Sequence, residues 1–113
     1  GCAAVVSPTA LRRILTNLLD NAVRHSGGRP IDIACVREGG RLQFSVADRG
    51  PGIPPGELEA VFQPFYRVDK SRSSVTGGSG LGLSIARQLA DSNHWTLALT
   101  PREGGGIVAS LTL

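Results

Sequence analysis

The sequence predicts an α/β protein, a two-layer sandwich of about five strands and about three helices. Three observations carry that expectation. Apolar residues recur at helical spacing between Leu11 and Ala22 and again between Leu83 and Ala90. Between Leu42 and Val46 they alternate at a period of two. The two periods interleave within 113 residues, a length that suits one domain with one core.

Residues 1–6 are small and apolar and read as a short strand. Ser7 then Pro8 signals a helix start, a capping hydroxyl followed by a residue whose missing N–H is not needed in the first turn. Leu11, Ile14, Leu15, Leu18, Leu19 and Ala22 carry that helix to about His25, and Ser26-Gly27-Gly28 ends it. Residues 31–36 and 41–47 read as strands joined at Gly39-Gly40, a pair that tolerates the positive φ angles of a two-residue hairpin turn. In the second strand Leu42, Phe44 and Val46 share a face that is expected to be buried. A glycine- and proline-rich turn occupies residues 50–56, and a short helix is expected over 57–62. Over 63–78 no period appears; serine, glycine and charge dominate. Such a stretch buries too little surface to offset its ordering entropy, so it is expected to be a mobile lid in the absence of ligand. A second long helix is expected from about Gly80 to Ser92, then strands over 95–99 and 107–113 joined by a turn at 101–106.

Composition narrows the function. No apolar run approaches the ~20 residues of a membrane helix, and no signal-peptide pattern opens the chain. The two cysteines, Cys2 and Cys35, have no metal-ligand spacing and read as free thiols of a reducing compartment. The formal charge of +3 is spread along the chain and aromatics make up only 4%. A surface that stacks nucleic-acid bases needs more aromatic area, so an anionic small ligand is expected and nucleic acid is not.

Three stretches look chemical. Asn17 and Asn21, at i and i+4, stack two amides on one side of the first helix, with Arg24 about a turn further on and His25 beside it. Amide oxygens are hard neutral ligands suited to Mg²⁺, and a guanidinium suits phosphate. Asp48-Arg49-Gly50-Pro51-Gly52-Ile53 puts a carboxylate at the end of a buried strand, followed by two glycines that let another group approach the backbone. A buried carboxylate needs a donor, and the exocyclic amine of adenine is one such donor. Gly77-Gly78-Ser79-Gly80-Leu81-Gly82-Leu83 opens the second helix, where backbone amides form an anion site. It has neither the lysine of a Walker loop nor the spacing of a dinucleotide fingerprint.

In this order the stretches resemble the nucleotide-binding boxes of sensor histidine kinases, within the GHKL, or Bergerat, ATP-binding superfamily. Residues 17–26 resemble the asparagine box, 48–53 the first glycine box, 62–67 the phenylalanine box and 78–83 the second glycine box, with Gly104-Gly105-Gly106 as the closing glycine turn. The resemblance covers nearly the whole chain and implies the Bergerat sandwich, a mixed sheet covered on one face by helices. It implies ATP and Mg²⁺ as cofactors. Asn21 would ligate Mg²⁺, Asn17 would support the metal or phosphates, Arg24 would contact phosphate, and these three would carry catalysis. His25 would lie against the nucleotide, and Asp48 would accept from the adenine amine, with Gly50, Gly52 and Ile53 walling the base. Arg67, Lys70 and Arg72 would reach the phosphates from the lid, and Gly78, Ser79, Gly80, Leu81, Gly82 and Leu83 would close on them.

The family's phosphoacceptor histidine motif is absent from the neighbourhoods of both His25 and His94. The phosphoryl group is therefore expected to pass to a histidine on a separate dimerisation and phosphoacceptor domain, with a response regulator downstream. Residues 1–113 are expected to be a single domain, a monomer in isolation and an N-terminally shortened piece of a larger kinase. That kinase is expected at the inner membrane, with this domain in the cytoplasm. ATPases of the same superfamily carry a glutamate four residues before the metal-binding asparagine, where this chain has Asn17, and an amide cannot accept a proton from water. The same boxes also suit a protein-serine kinase of the anti-sigma type, or a module that holds nucleotide without transferring phosphate.

Overall fold

The computed structural model describes residues 8–63 and 82–113. The first strand expected at 1–6, the capping Ser7 and most of the expected lid lie outside the described residues, as do Gly78, Ser79, Gly80 and Leu81.

Helix α1 spans Pro8–Ser26 and buries Ile14, Leu18 and Ala22, the centre of the expected stripe, with Leu11, Leu15 and Leu19 packed at its margins. Its end follows from Gly27 and Gly28, whose φ angles of 63° and 86° leave the helical region. Strands β1 (Asp32–Glu38) and β2 (Arg41–Ala47) form an antiparallel hairpin. Gly39 and Gly40, at φ 58° and 80°, make its turn. Strands β3 (Thr96–Pro101) and β4 (Ile107–Thr112) complete a sheet of order β1-β2-β4-β3.

Among the described residues the sheet has four strands rather than five, and every pairing is antiparallel where a mixed sheet was expected. The described helical layer holds two α-helices, α1 and α2 (Gly82–Ser92), rather than three. The short helix expected at 57–62 is instead two 3-10 turns, Pro55–Glu57 and Ala60–Phe62. Their closures run from Glu57 N to Pro54 O, Phe62 N to Glu59 O and Gln63 N to Ala60 O, all three-residue spans. Each turn closes over three residues, so the segment forms two separate single turns rather than one α-helix.

The two helices pack on each other and on the sheet. Their interface with it holds Ala86 and Ala90 of α2, Val46 of β2, Leu97 and Leu99 of β3, and Ile107, Ala109 and Leu111 of β4. The register puts Val46 opposite Ala109 and Phe44 opposite Leu111, so the alternating face of β2 continues across β4 into one apolar surface. β1 is the outer strand of the described sheet, and its Ile33 and Val36 are exposed at 64% and 46%.

Helix α2 stops in a Schellman motif. Trp95 N donates to Ala90 O at 2.8 Å, His94 N donates to Asp91 O at 3.1 Å, and His94 takes the left-handed φ of 60°. Trp95 is partly buried and packs at the margin of the core.

Candidate functional site

α1 connects the two glycine-rich regions. Near its middle, Asn17 Nδ2 donates to Gly82 O at 3.2 Å, which ties the helix to the first described residue of α2. At its C-terminal end the His25 carbonyl abuts Gly50, so closely that a β-carbon on Gly50 would overlap it. From Asn17 to His25 the helix rises about 12 Å, at about 1.5 Å per residue. Asn21 lies between them, one turn from Asn17. Polar groups thus run along α1 from the start of α2 to the turn after β2: the Asn17 and Asn21 amides and then the His25 backbone carbonyl.

Asn21 is half-buried, and among the described residues its amide makes no hydrogen bond. With Asn17 the amide nitrogen is used on Gly82, which leaves its oxygen as the group available for a ligand. Arg24 turns its Nε toward Asp20 Oδ2 at 3.0 Å, an ion pair across one helical turn on the exposed side. The His25 side chain is exposed.

Asp48 follows β2 and is only 4% exposed. Its Oδ1 accepts from Gly50 N at 2.9 Å and from Ile107 N at 3.3 Å, while Asp48 N donates to Ile107 O at 2.9 Å. These bonds clamp the carboxylate between the turn that follows it and the start of β4. Oδ2 accepts no hydrogen bond among the described residues. Gly106 lies flush against the Asp48 backbone at φ 101°, a place without room for a side chain. Beside this clamp a cleft of about 440 Å³ opens between residues 51–54 and 101–107, lined by Gly52, Ile53, Arg102 and Ile107 among others.

Of the expected site residues, the structure brings Asn17 to Gly82, and His25 to Gly50 and Asp48; Gly52 and Ile53 line the cleft beside them. Leu83 packs against the core one residue into α2. Arg67, Lys70 and Arg72 lie outside the described residues. Among the described residues no group of three or more His, Cys, Asp or Glu could hold a metal. A cation here would draw its oxygens from amides and from its ligand. Spacing along the chain gave no hint of an ion-pair network on the outer side of the clamp. In it Arg49 Nη2 meets Asp32 Oδ2 at 2.9 Å, Arg29 Nη1 donates to Arg49 O at 3.2 Å, and Arg102 Nη2 lies 3.8 Å from Asp32 Oδ2. The hairpin held part of the signal: a two-residue turn at Gly39-Gly40 sets a register that puts Asp32 opposite Ala47, next to Asp48.

The family described as "Histidine kinase-, DNA gyrase B-, and HSP90-like ATPase" matches residues 6–113. The chain belongs to this family. Within it the resemblance is to sensor histidine kinases. The sensor histidine kinase YkoH of Bacillus subtilis is 41% identical over 101 residues, covering 89% of this chain and 22% of that protein. The sensor-like histidine kinase SenX3 of Mycobacterium tuberculosis is 41% identical over 106 residues, covering 93% of this chain and 26% of that protein. The chain therefore spans about a quarter of these relatives. Among solved structures, the nucleotide-free catalytic domain of histidine kinase ThkA matches with a TM-score of 0.79 at 30% identity, covering 96% of this chain and 69% of that one. Full-length ShkA in complex with AMPPNP matches at 0.75 with 31% identity, covering 91% of this chain and 21% of that one. This histidine-kinase-like domain thus has the α/β sandwich that its sequence predicted. No helix among its described residues is long and apolar enough to cross a membrane.

Proposed function

We propose that this domain binds Mg-ATP and donates the γ-phosphate to a histidine on a separate dimerisation and phosphoacceptor domain. The observation that carries the reading is the polar row of α1, anchored at Gly82 by Asn17 and at Gly50 by the His25 carbonyl. In this reading the base lies at the Asp48 end, where the carboxylate oxygen that has no partner among the described residues accepts from the adenine amine, and Gly52 and Ile53 wall the ring. The phosphates lie toward the start of α2. Asn21 supplies a neutral oxygen to Mg²⁺, Asn17 presents its own oxygen beside it, and Arg24 faces phosphate once its pair with Asp20 opens. When bound, Mg²⁺ neutralises phosphate charge as the transferring group departs. The chain's own residues supply orientation; the attacking imidazole comes from the partner.

From the family resemblance we assign Arg67, Lys70 and Arg72, together with Gly78, Ser79, Gly80 and Leu81, to the phosphate end; Gly82 and Leu83 complete that assignment. The same resemblance makes residues 1–113 one domain of a larger sensor kinase, cytoplasmic at the inner membrane, with a response regulator as final acceptor. A titration of ATP with and without Mg²⁺ tests the reading. Binding that strengthens with Mg²⁺, and prefers adenine to guanine nucleotides, is the expected result. Absence of nucleotide binding in both conditions overturns it.

A further inference from the structure

We propose that Asp32 is a positioning residue for base recognition, acting on Asp48 through Arg49 and Arg102; the proposal rests on the nucleotide reading above. Asp32 opens β1 on the outer edge of the sheet and is paired in register with Ala47, the residue before Asp48. Its Oδ2 sits between two guanidinium groups from two different turns, Arg49 at 2.9 Å and Arg102 at 3.8 Å.

Each of those turns holds Asp48 directly. The turn with Arg49 supplies Gly50 N to Oδ1, and the turn with Arg102 leads to Ile107, whose N–H reaches the same oxygen. Arg102 also braces its own turn, donating from Nη1 to the carbonyls of Glu103 and Gly105, both at 3.2 Å. Arg29 adds a third guanidinium, donating to Arg49 O at 3.2 Å. Among the described residues Asp32 is the carboxylate that contacts both Arg49 and Arg102. Without it, like charges crowd the two turns and drive them apart. The gap between those turns is the cleft beside Asp48, so their separation shifts Gly50 N and Ile107 N and re-aims the carboxylate. Asp32 itself is 55% exposed on its side chain, so the fold tolerates its replacement.

The test is a titration of ADP and GDP against the parent chain, Asp32→Asn, Asp32→Glu, Arg49→Gln and the combined Asp32→Asn/Arg49→Gln variant, each checked by thermal melting. Asp32→Asn is expected to weaken ADP about two- to fivefold, the scale of a solvent-reachable ion pair. It lowers the preference for ADP over GDP as well. Asp32→Glu restores both, and the combined variant is no weaker than Asp32→Asn alone, because one residue acts through the other. An unchanged ADP affinity, an equal loss for both nucleotides, or additive losses in the combined variant would each overturn the proposal. A parent chain that binds neither nucleotide overturns the nucleotide reading itself, and the proposal with it.

Discussion

Asp48 is almost wholly buried, yet only one of its carboxylate oxygens is engaged within the described structure, by the N–H groups of Gly50 and Ile107. Among the described residues no fully buried side-chain oxygen lacks a partner, so the second oxygen keeps an edge open to solvent, where a ligand donor can complete it and discriminate between ligands. Asp48→Asn is therefore expected to weaken adenine nucleotides by roughly 1–3 kcal/mol while relaxing the preference over guanine nucleotides. Guanine carries a carbonyl where adenine carries the amine, and an amide side chain can meet either. Competition binding of ADP and GDP measures this, and an intact preference would make Asp48 purely structural. In the proposed function Asn21 would supply a different kind of group, a neutral oxygen for a divalent cation. Asn21→Ala is expected to weaken Mg-ATP roughly tenfold, about 1.4 kcal/mol, while changing Mg-free nucleotide binding little. Paired titrations with Mg²⁺ and with a chelator decide it; equal losses in both would remove the metal assignment.

Arg87 of α2 links three elements. Its guanidinium meets both Glu59 oxygens at 3.3 and 3.2 Å, donates to Leu97 O at 3.0 Å and lies 3.9 Å from the centroid of the Phe62 ring. Arg87→Met keeps much of the packing but loses the carbonyl bond, the fork and the cation–π contact, so unfolding in urea is expected about 1–3 kcal/mol easier. An unchanged midpoint would show that the contacts contribute nothing net. The end of α2 gives the opposite sign. His94 is exposed and holds a left-handed backbone that glycine adopts freely, so His94→Gly is expected to stabilise by about 0.5–1 kcal/mol, read as a higher melting temperature. What was legible in the sequence follows the same physics. The stripe of α1, the Gly39-Gly40 hairpin and the alternating face of β2 are local periodicities, and each appears where it was expected. The 3-10 turns after Pro54 were missed because the apolar residues over 57–62 fit a helical period, and spacing does not distinguish one short helix from two turns closed over three residues. The ties of Asn17 to Gly82 and of Asp32 to Arg102 join residues far apart in sequence, and spacing alone does not reveal such contacts.

At the largest scale, one core joins two helices to a sheet among the described residues, and the expected nucleotide groups that lie among them gather around α1, the start of α2 and the turn that follows β2. Asn17 stands where ATPases of the superfamily carry a glutamate, and an amide cannot take a proton from water. On the proposed reading, a domain of this design would hold triphosphate without efficiently hydrolysing it and would need an imidazole from elsewhere to complete transfer. Incubation of the chain with γ-labelled ATP, Mg²⁺ and a separately purified phosphoacceptor dimerisation domain of a sensor histidine kinase is the most direct test. The account predicts acid-labile label on the acceptor's histidine, lost with Asn21→Ala, and little free phosphate in the acceptor's absence. Rapid release of free phosphate without any acceptor, or nucleotide binding with no label transferred, would contradict it.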